Sequence, residues 1–178
     1  VKAIYKLSKG HNGLEQALEN MVNDVEKKVD DGHNIIIISD RNINKKYAPI
    51  PILLACSCVH HSMIKRKKRS KFGIVIESAE PREPHHFSML FGYGASAINP
   101  YLVNEIITYH HNIGLLENYT LDEAIINYNN AVAKGILKVM NKIGISTLHS
   151  YRGAQIFEAL GLSCLLYTSD AADDWSCV

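Results

Sequence analysis

Long apolar runs, repeats and cysteines are scarce in this sequence of 178 residues. No apolar stretch approaches the roughly 18 residues that a membrane-spanning helix needs, and 4 cysteines are too few for a disulfide scaffold. Without a fixed-period repeat or a low-complexity linker, collagen, coiled coil and intrinsic disorder are excluded. Lys and Arg number 19 against 18 Asp and Glu, which does not favour nucleic acid as a partner. The chain begins Val1-Lys2-Ala3-Ile4 without a signal peptide, so we expect a cytoplasmic protein or a piece of one.

The composition that is present, 47% hydrophobic and 21% charged, is typical of one globular domain. Short apolar runs predict strands over residues 3–7, 34–39, 73–77 and 145–149, the second of them buried on both faces. Apolar residues at helical spacing predict helices over residues 12–31, 51–64, 85–90, 100–110, 121–141 and 153–160. Residues 91–97 are expected to form a turn or a short strand. The alternation predicts an α/β fold of parallel βα units that resembles part of a barrel, with helices flanking the sheet.

The longest predicted helix has clear local signals. Thr120 and Glu123 form a capping-box pattern at its start, and Gly144 follows its end. Gly135 inside the helix costs about 1 kcal/mol relative to alanine. We therefore expect a close approach of another segment at Gly135.

Several motifs suggest chemistry that their context does not support. Gly92 to Ala97 matches a dinucleotide-binding pattern, but a helix is predicted before it, so we interpret it as a glycine turn. The basic run Lys65 to Arg69 lies where a helix C-terminus favours cations, so a solvated helix end is favoured over nucleic-acid binding. Cys56 and Cys58 have no second ligand pair, and the three adjacent His pairs lack metal-ligand spacing. We therefore predict core thiols, no metal site and no catalytic residue.

Polar residues follow three of the predicted strands, and the carboxyl ends of parallel strands meet at one edge of a sheet. The candidate site residues are Asp40 and Arg41 after the second strand, Arg82, Glu83 and His86 after the third, and Tyr151 and Arg152 after the last. We expect the three arginines to converge at this edge. Two interpretations remain open. The arginines bind an anion or contact another domain, or each pairs with a local carboxylate, namely Asp40, Glu83 or Glu158.

Residues 164–178 differ in character from the rest of the chain. The stretch Cys164 to Asp173 matches the translation of a transposase adapter used in sequencing libraries, so we predict that 164–178 is an artefactual tail after a truncated domain of residues 1–163. The tail holds three aspartates and no basic residue, and without it the net charge rises from +1 to +4. We expect it to lie outside the core.

Six sequence blocks together carry a family resemblance. They are Ser39-Asp40-Arg41, Ala48 to Pro51, Val59-His60-His61, Glu77 to Phe87, Gly92 to Leu102 and Lys134 to Leu162. In this order they closely resemble the central domain of the glutamate synthase large subunit, over essentially residues 1–163. Three positions depart from the family pattern: Asn42 stands where Gly is usual, Pro84 where Val or Thr is usual, and His149 where Gln is usual.

This resemblance implies a connecting domain in a larger enzyme. The full enzyme of that family resembles a chain of an amidotransferase, this central domain, a flavin-binding barrel with an iron–sulfur cluster, and a β-helix. It implies that ammonia released from glutamine passes internally to the FMN site, where 2-oxoglutarate is converted to glutamate. Electrons would come from a small NADPH-oxidising subunit, from NADH or from ferredoxin.

The family's chemical residues would lie outside this chain, so no catalytic, cofactor-binding or metal-binding residue is assigned, and the chain alone is expected to be inactive and to bind no FMN. The resemblance instead makes Asp40, Arg41, Arg82, Glu83, His86, Tyr151 and Arg152 candidates for an interdomain or passage-lining face. The alternative is a stand-alone α/β module that binds an anion or a nucleic acid.

Overall fold

The fold of this chain, determined as a computed structural model, is described for residues 1–157. Its β-strands are β1 (Ile4–Lys6), β2 (Ile35–Ser39), β3 (Tyr47–Pro49), β4 (Gly73–Glu77) and β5 (Ala97–Asn99). Its α-helices are α1 (Gly10–Asp30), α2 (Ile52–Lys65), α3 (Pro84–Gly92), α4 (Tyr101–Asn112), α5 (Leu121–Ile143) and α6 (Leu148–Tyr151). Short 3₁₀ turns lie at Leu7–Lys9 and Arg69–Lys71. Within these residues, no helix combines the length and the apolar character needed to cross a membrane.

A parallel sheet in the order β2-β4-β5 forms the centre of the domain. Strand β2 pairs with β4 over its full length, and β4 pairs with β5 from Val75 to Glu77. Helix α2 lies in the β2–β4 connection and α3 in the β4–β5 connection, so the chain forms two consecutive βαβ units. The predicted α/β fold of parallel units flanked by helices is confirmed. Of the two forms expected for residues 91–97, the turn is found, after the end of α3, and β5 begins only at Ala97.

One face of this sheet and two long helices make the hydrophobic core. The even-numbered isoleucines of β2 and β4 are almost fully buried, namely Ile36, Ile38, Ile74 and Ile76. They join one cluster with the apolar stripe of α1, which includes Val25, and with Ala55 and Val59 of α2. The odd-numbered Ile35 and Ile37 are 63% and 49% exposed, so the prediction that β2 is buried on both faces does not hold within residues 1–157.

The first strand pairs differently from the prediction. Strand β1 forms an antiparallel ladder with β3, which runs back beside it after the turn at Asn44 to Tyr47. Only Lys2, just before β1, makes a parallel bridge, to Ser39 of β2. The strand predicted over residues 3–7 is present as β1, but the parallel pairing expected for it is limited to the Lys2 bridge, because the hydrophobic pattern did not single out the segment that pairs with β1.

The strand predicted over residues 145–149 was also wrong. Gly144 ends α5 in the left-handed conformation, as predicted, and the backbone N–H of Ile145 donates to Met140. The Thr147 side chain then accepts from the N–H of Ser150, which caps the short helix α6. No described strand lies beside this run, so its β-branched residues have no ladder to join. The helix predicted over residues 153–160 is not formed at 153–157, and its remainder lies outside the described residues.

The two local predictions for α5 are confirmed. Thr120 and Glu123 make a reciprocal capping box at its start. A Cβ at Gly135 would lie 2.4 Å from the ring of Pro84, so the missing side chain is what allows α3 and α5 to pack closely.

Candidate functional site

The carboxyl ends of the three parallel strands carry a polar network centred on Glu77. The Ser39 hydroxyl donates to Glu77 Oε2 at 2.6 Å, and Arg41 Nε donates to Glu77 Oε1 at 3.0 Å. These two donors lower the pKa of the Glu77 carboxyl, the Ser39 hydrogen bond having the larger effect. The Glu77 carboxylate therefore stays ionised and joins β2 to β4 across the sheet edge.

Arg41 is fixed from three sides although its side chain is partly exposed. Besides Glu77, its guanidinium contacts Glu105 of α4, with Nη1 3.5 Å from Oε1. The guanidinium carbon also lies 3.9 Å from the centre of the Tyr101 ring, a cation–π distance. These contacts raise the pKa of Arg41, mainly through the hydrogen bond to Glu77. Arg41 is thus a positioned cation rather than a free surface side chain.

Asp40 is buried and holds the loop that follows β4. Its Oδ2 accepts from the Ser78 hydroxyl at 2.6 Å and from the backbone N–H of Ala79 at 3.1 Å. Its Oδ1 has no hydrogen bond within the described residues, and the Tyr101 hydroxyl lies near the carboxylate. Burial, and then the nearby Asp40, raise the pKa of Tyr101 to about 12. A carboxylate buried in this way constrains two loops at the carboxyl edge of the sheet.

A surface pocket of about 350 Å³ opens beside this network. Arg41, Tyr101 and Glu105 line it together with Asn99, Asn104 and Thr108. The residues of α4 in this lining were missed by the sequence analysis. The signal that could have found them is that Tyr101 and Glu105 are four apart on the helix that directly follows β5, and therefore share a face.

The loop after β4 forms a second pocket, of about 370 Å³, between α2 and α3. Its lining is mostly apolar, with Glu80, Arg82 and His86 as the charged or titratable members. Glu80 Oε1 accepts from the first N–H of α2, that of Ile52, at 3.1 Å. Loss of solvent around the carboxyl raises the pKa of Glu80.

Backbone contacts hold the segment that carries three of the predicted residues. His86 Nδ1 accepts from the backbone N–H groups of Arg82 and Glu83, at 3.2 and 3.4 Å. The Tyr128 hydroxyl of α5 donates to the carbonyl of Arg82 at 3.1 Å. The Arg82 side chain is exposed and makes no ion pair with any described carboxylate. The backbone is therefore fixed while the Arg82 guanidinium points to solvent.

The predicted convergence of three arginines is not found. Arg152 Nη1 donates to Ser96 Oγ at 2.9 Å, and Ser96 precedes β5 at the amino-terminal edge of the sheet. Tyr151 is fully buried against Gly92 and lies near Ser88. The expectation depended on a strand over residues 145–149, and without that strand the segment after α5 reaches the opposite edge.

Neither local pairing nor convergence describes the arginines completely. Arg41 pairs with Glu77 and Glu105 instead of Asp40. Arg82 does not pair with Glu83, and Glu158 lies outside the described residues. Of the candidates, Asp40, Arg41, Arg82 and Glu83 lie in the loops that follow β2 and β4, and His86 lies in the first turn of α3 directly after them. Tyr151 and Arg152 lie elsewhere.

A cluster at the amino-terminal edge was also missed. The half-buried Arg69 donates through Nε to His60 Nδ1 at 2.9 Å and through its two other nitrogens to the carbonyls of Phe72 and Gly94, at 2.7 Å each. Burial, followed by the charge of Arg69, lowers the pKa of His60 to about 3, so the ring is neutral and accepts. The glycine turn was the available signal, because Gly94 has φ +104° and a Cβ there would meet the His60 ring.

The basic run and the cysteines have structural contacts. Arg66 and Lys68 both pair with Glu26 of α1, and Lys68 also pairs with Asp30. Cys56 is fully buried, and burial raises the pKa of its thiol to about 12, so it remains protonated at neutral pH. Among the described residues, no three His, Cys, Asp or Glu side chains are grouped as metal ligands would be.

Comparison with known proteins gives one consistent result. A family model described as glutamate synthase central domain matches residues 1–163. The chain is 45% identical over 150 residues to the glutamate synthase [NADPH] large chain of Bacillus subtilis, covering 84% of this chain and 10% of that one. It is 44% identical to the glutamate synthase [NADH] of Saccharomyces cerevisiae, covering 87% and 8%. It is 38% identical to the ferredoxin-dependent glutamate synthase of Pyropia yezoensis, covering 91% and 11%. The chain thus spans about a tenth of the length of these relatives.

Proposed function

Since the chain belongs to the glutamate synthase central domain family, we propose that it connects the amidotransferase and flavin domains of a glutamate synthase. In this proposal the whole protein makes glutamate from glutamine and 2-oxoglutarate. Ammonia released at one site is used at the other, where reduced FMN completes the reaction. The relatives include NADPH, NADH and ferredoxin-dependent forms, and in this proposal the electron donor is one of these three.

The need for a connecting domain follows from the chemistry of ammonia. Free ammonia in neutral water becomes protonated and is then no longer a nucleophile. A passage that excludes water keeps it reactive between the two sites. A rigid domain between the sites suits this task, because a flexible linker would leave the route open to solvent.

The observation that carries this proposal is the arrangement of the loops after β2 and β4. Asp40 anchors the second loop through Ser78 and Ala79, and Tyr128 holds its backbone at Arg82. The Arg82 guanidinium is left exposed, without an ion pair among the described residues, beside an apolar pocket. A fixed backbone with an exposed arginine beside an apolar pocket is the kind of surface found at the centre of protein interfaces.

The candidates divide on this basis. Arg41, Arg82, Glu83 and His86 form the proposed interdomain or passage-lining face, and the buried Asp40 holds the loop after β4 behind it. Tyr151 and Arg152 tie the segment after α5 to the amino-terminal edge of the sheet and are assigned to packing. The chain contributes no catalytic residue in this proposal, and FMN and the iron–sulfur cluster belong to other domains. We expect a flavin fluorescence titration of the 178-residue chain to show no binding, and micromolar binding would contradict this division of roles.

The test of the connecting role is Arg82→Ala in the full-length synthase. We expect the glutamate formed per glutamine hydrolysed to fall about threefold or more, because truncating an arginine that is a hot spot weakens an interface by about 2 kcal/mol or more. Synthesis from added ammonia should be unchanged, because this arginine does not touch the reacting atoms. The matched control is Lys138→Ala, which removes an exposed cation from α5 instead of from the loop after β4. It should leave both rates unchanged. Equal loss of the glutamine-dependent and ammonia-dependent rates would mean that Arg82 acts in the synthesis reaction itself, and would refute its assignment to an interdomain face.

A further inference from the structure

Two half-buried arginines at the amino-terminal edge of the sheet are held by one short segment. Arg69 Nη2 donates to the carbonyl of Gly94 at 2.7 Å, and Arg152 Nη1 donates to Ser96 Oγ at 2.9 Å. The Ser96 hydroxyl is itself fixed, because it accepts from the backbone N–H of Ile74 in β4 at 3.3 Å. Two steps of an extended chain span at most about 7 Å, so the two guanidinium groups lie near each other.

The positive charge of this pair is not balanced by the residues around it. Neither Arg69 nor Arg152 makes an ion pair with a carboxylate among residues 1–157. The adjacent His60 is neutral and accepts a hydrogen bond from Arg69. Burial lowers the pKa of Arg69, and the charge of Arg152 lowers it further. The two cations therefore repel each other, and an anion between them would relieve that repulsion.

Both guanidinium groups have donors left for such an anion. A guanidinium carries five N–H donors. Among the described residues, Arg69 uses three of them, for His60, Phe72 and Gly94, which leaves two. Arg152 uses two, for Ser96 Oγ and for His149 Nδ1 at 3.2 Å, which leaves three. The protein thus positions both arginines before any ligand arrives, as is usual for small-molecule sites.

We infer that Arg69 and Arg152 form a binding site for a small oxyanion, with one phosphate or carboxylate group accepting hydrogen bonds from both guanidinium groups. The planar donor fork of arginine fits either group. Arg152 then has this role besides its packing contact with Ser96. The site lies at the edge of the sheet opposite to Arg82, so it does not depend on the proposed connecting role.

A ligand titration of the 178-residue chain tests the site. The melting temperature would be measured against inorganic phosphate and, separately, against succinate, with sodium chloride keeping the ionic strength constant. A ligand that binds only the folded chain raises the melting temperature, and the concentration dependence gives the dissociation constant. We expect a saturable rise with at least one of the two probes. The probe with the lower dissociation constant identifies the group as a phosphate or a carboxylate.

Two variants of Arg152 link that binding to the arginine pair. Arg152→Gln should raise the dissociation constant about tenfold or more, because it removes hydrogen bonds between charged groups. Arg152→Lys keeps the charge but loses the planar donor fork, so it should bind more weakly than the native chain and more tightly than Arg152→Gln. The matched control is Arg82→Gln, which removes an exposed arginine at the opposite edge and should leave the dissociation constant unchanged.

Three results would overturn the inference. The first is no saturable rise with either probe, and the second is an equal dissociation constant for the native chain and Arg152→Gln. The third is binding that appears only after Glu158→Gln. Glu158 follows Arg152 by six positions in the sequence, and this result would assign the arginines to a carboxylate of the chain itself. Circular dichroism checks the folding of each variant, and if Arg152→Gln is unfolded, the comparison with Arg152→Lys decides.

Discussion

Replacing Gly94 by alanine tests the contact between the glycine turn and the hydrogen-bonded pair of the buried His60 and the half-buried Arg69. Gly94 has φ +104°, a conformation that residues with a side chain rarely adopt. A Cβ there would lie 2.2 Å from His60 Nδ1, the atom that accepts from Arg69. The substitution therefore strains the backbone and displaces the imidazole ring at the same time.

The two effects can be added because they act on different groups. The left-handed backbone costs roughly 1–2 kcal/mol for a residue with a Cβ. Loss of a hydrogen bond to a charged group such as the Arg69 guanidinium costs about 1.5–3 kcal/mol. We expect Gly94→Ala to lower the free energy of unfolding by about 2.5–5 kcal/mol, a large share of the stability of a typical domain.

The assay is urea unfolding at 25 °C followed by circular dichroism, and Gly32→Ala is the matched control. Gly32 also has positive φ, +92°, but no atom lies within 4 Å of the Cβ that would be added. The control should therefore show only the backbone cost of roughly 1–2 kcal/mol. If Gly94→Ala destabilises the protein no more than Gly32→Ala, the ring contact contributes nothing and the reasoning fails. A double-mutant cycle with His60→Ala would then show no coupling.

Three further predictions concern the same fold. Burial and Arg69 lower the pKa of His60 from 6.5 to about 3. Between these two pH values the unfolded chain binds a proton at His60 that the folded chain does not. The free energy of unfolding should therefore fall by up to about 1.4 kcal/mol per pH unit as the pH drops below 6.5. His60→Gln should remove this slope between pH 6.5 and 4.5 in urea titrations, and an unchanged slope would contradict it. Gly135→Ala should destabilise the protein by about 1–3 kcal/mol through the Pro84 contact, although alanine favours helices; a gain in stability would contradict the close packing. Truncation after residue 163 should change the melting temperature by less than about 2 °C in calorimetry, because the tail is expected to lie outside the core. A larger drop would refute the hypothesis that residues 164–178 are an artefactual tail.

Features that depend on neighbours along the chain could be predicted from the sequence. Thr120 and Glu123 cap α5 because their side chains reach backbone groups three residues away. The apolar spacing of α1 and α2 specifies which side of each helix is buried, since helix geometry alone relates those positions. The consecutive isoleucines of β2 and the apolar run of β4 indicated parallel strands, which the structure pairs in full register.

The residues around the carboxyl edge could be predicted only in part. Asp40 and Arg41 were identified because they follow a buried strand, and the structure confirms that they lie at its carboxyl end. Glu105, which pairs with Arg41, lies 64 positions away, and the sequence around Glu105 does not indicate that contact. The partner of a charge is decided by which elements the fold brings together.

Two errors show what only the tertiary structure decided. The run over residues 145–149 has strand-like residues but no neighbouring strand among residues 1–157, and a strand is stable only when its backbone groups are paired. The exposed face of β2 was predicted to be buried because the hydrophobic pattern shows only which side chains favour burial. Which element covers those side chains depends on segments distant in the chain, and within the described residues this face of β2 is exposed.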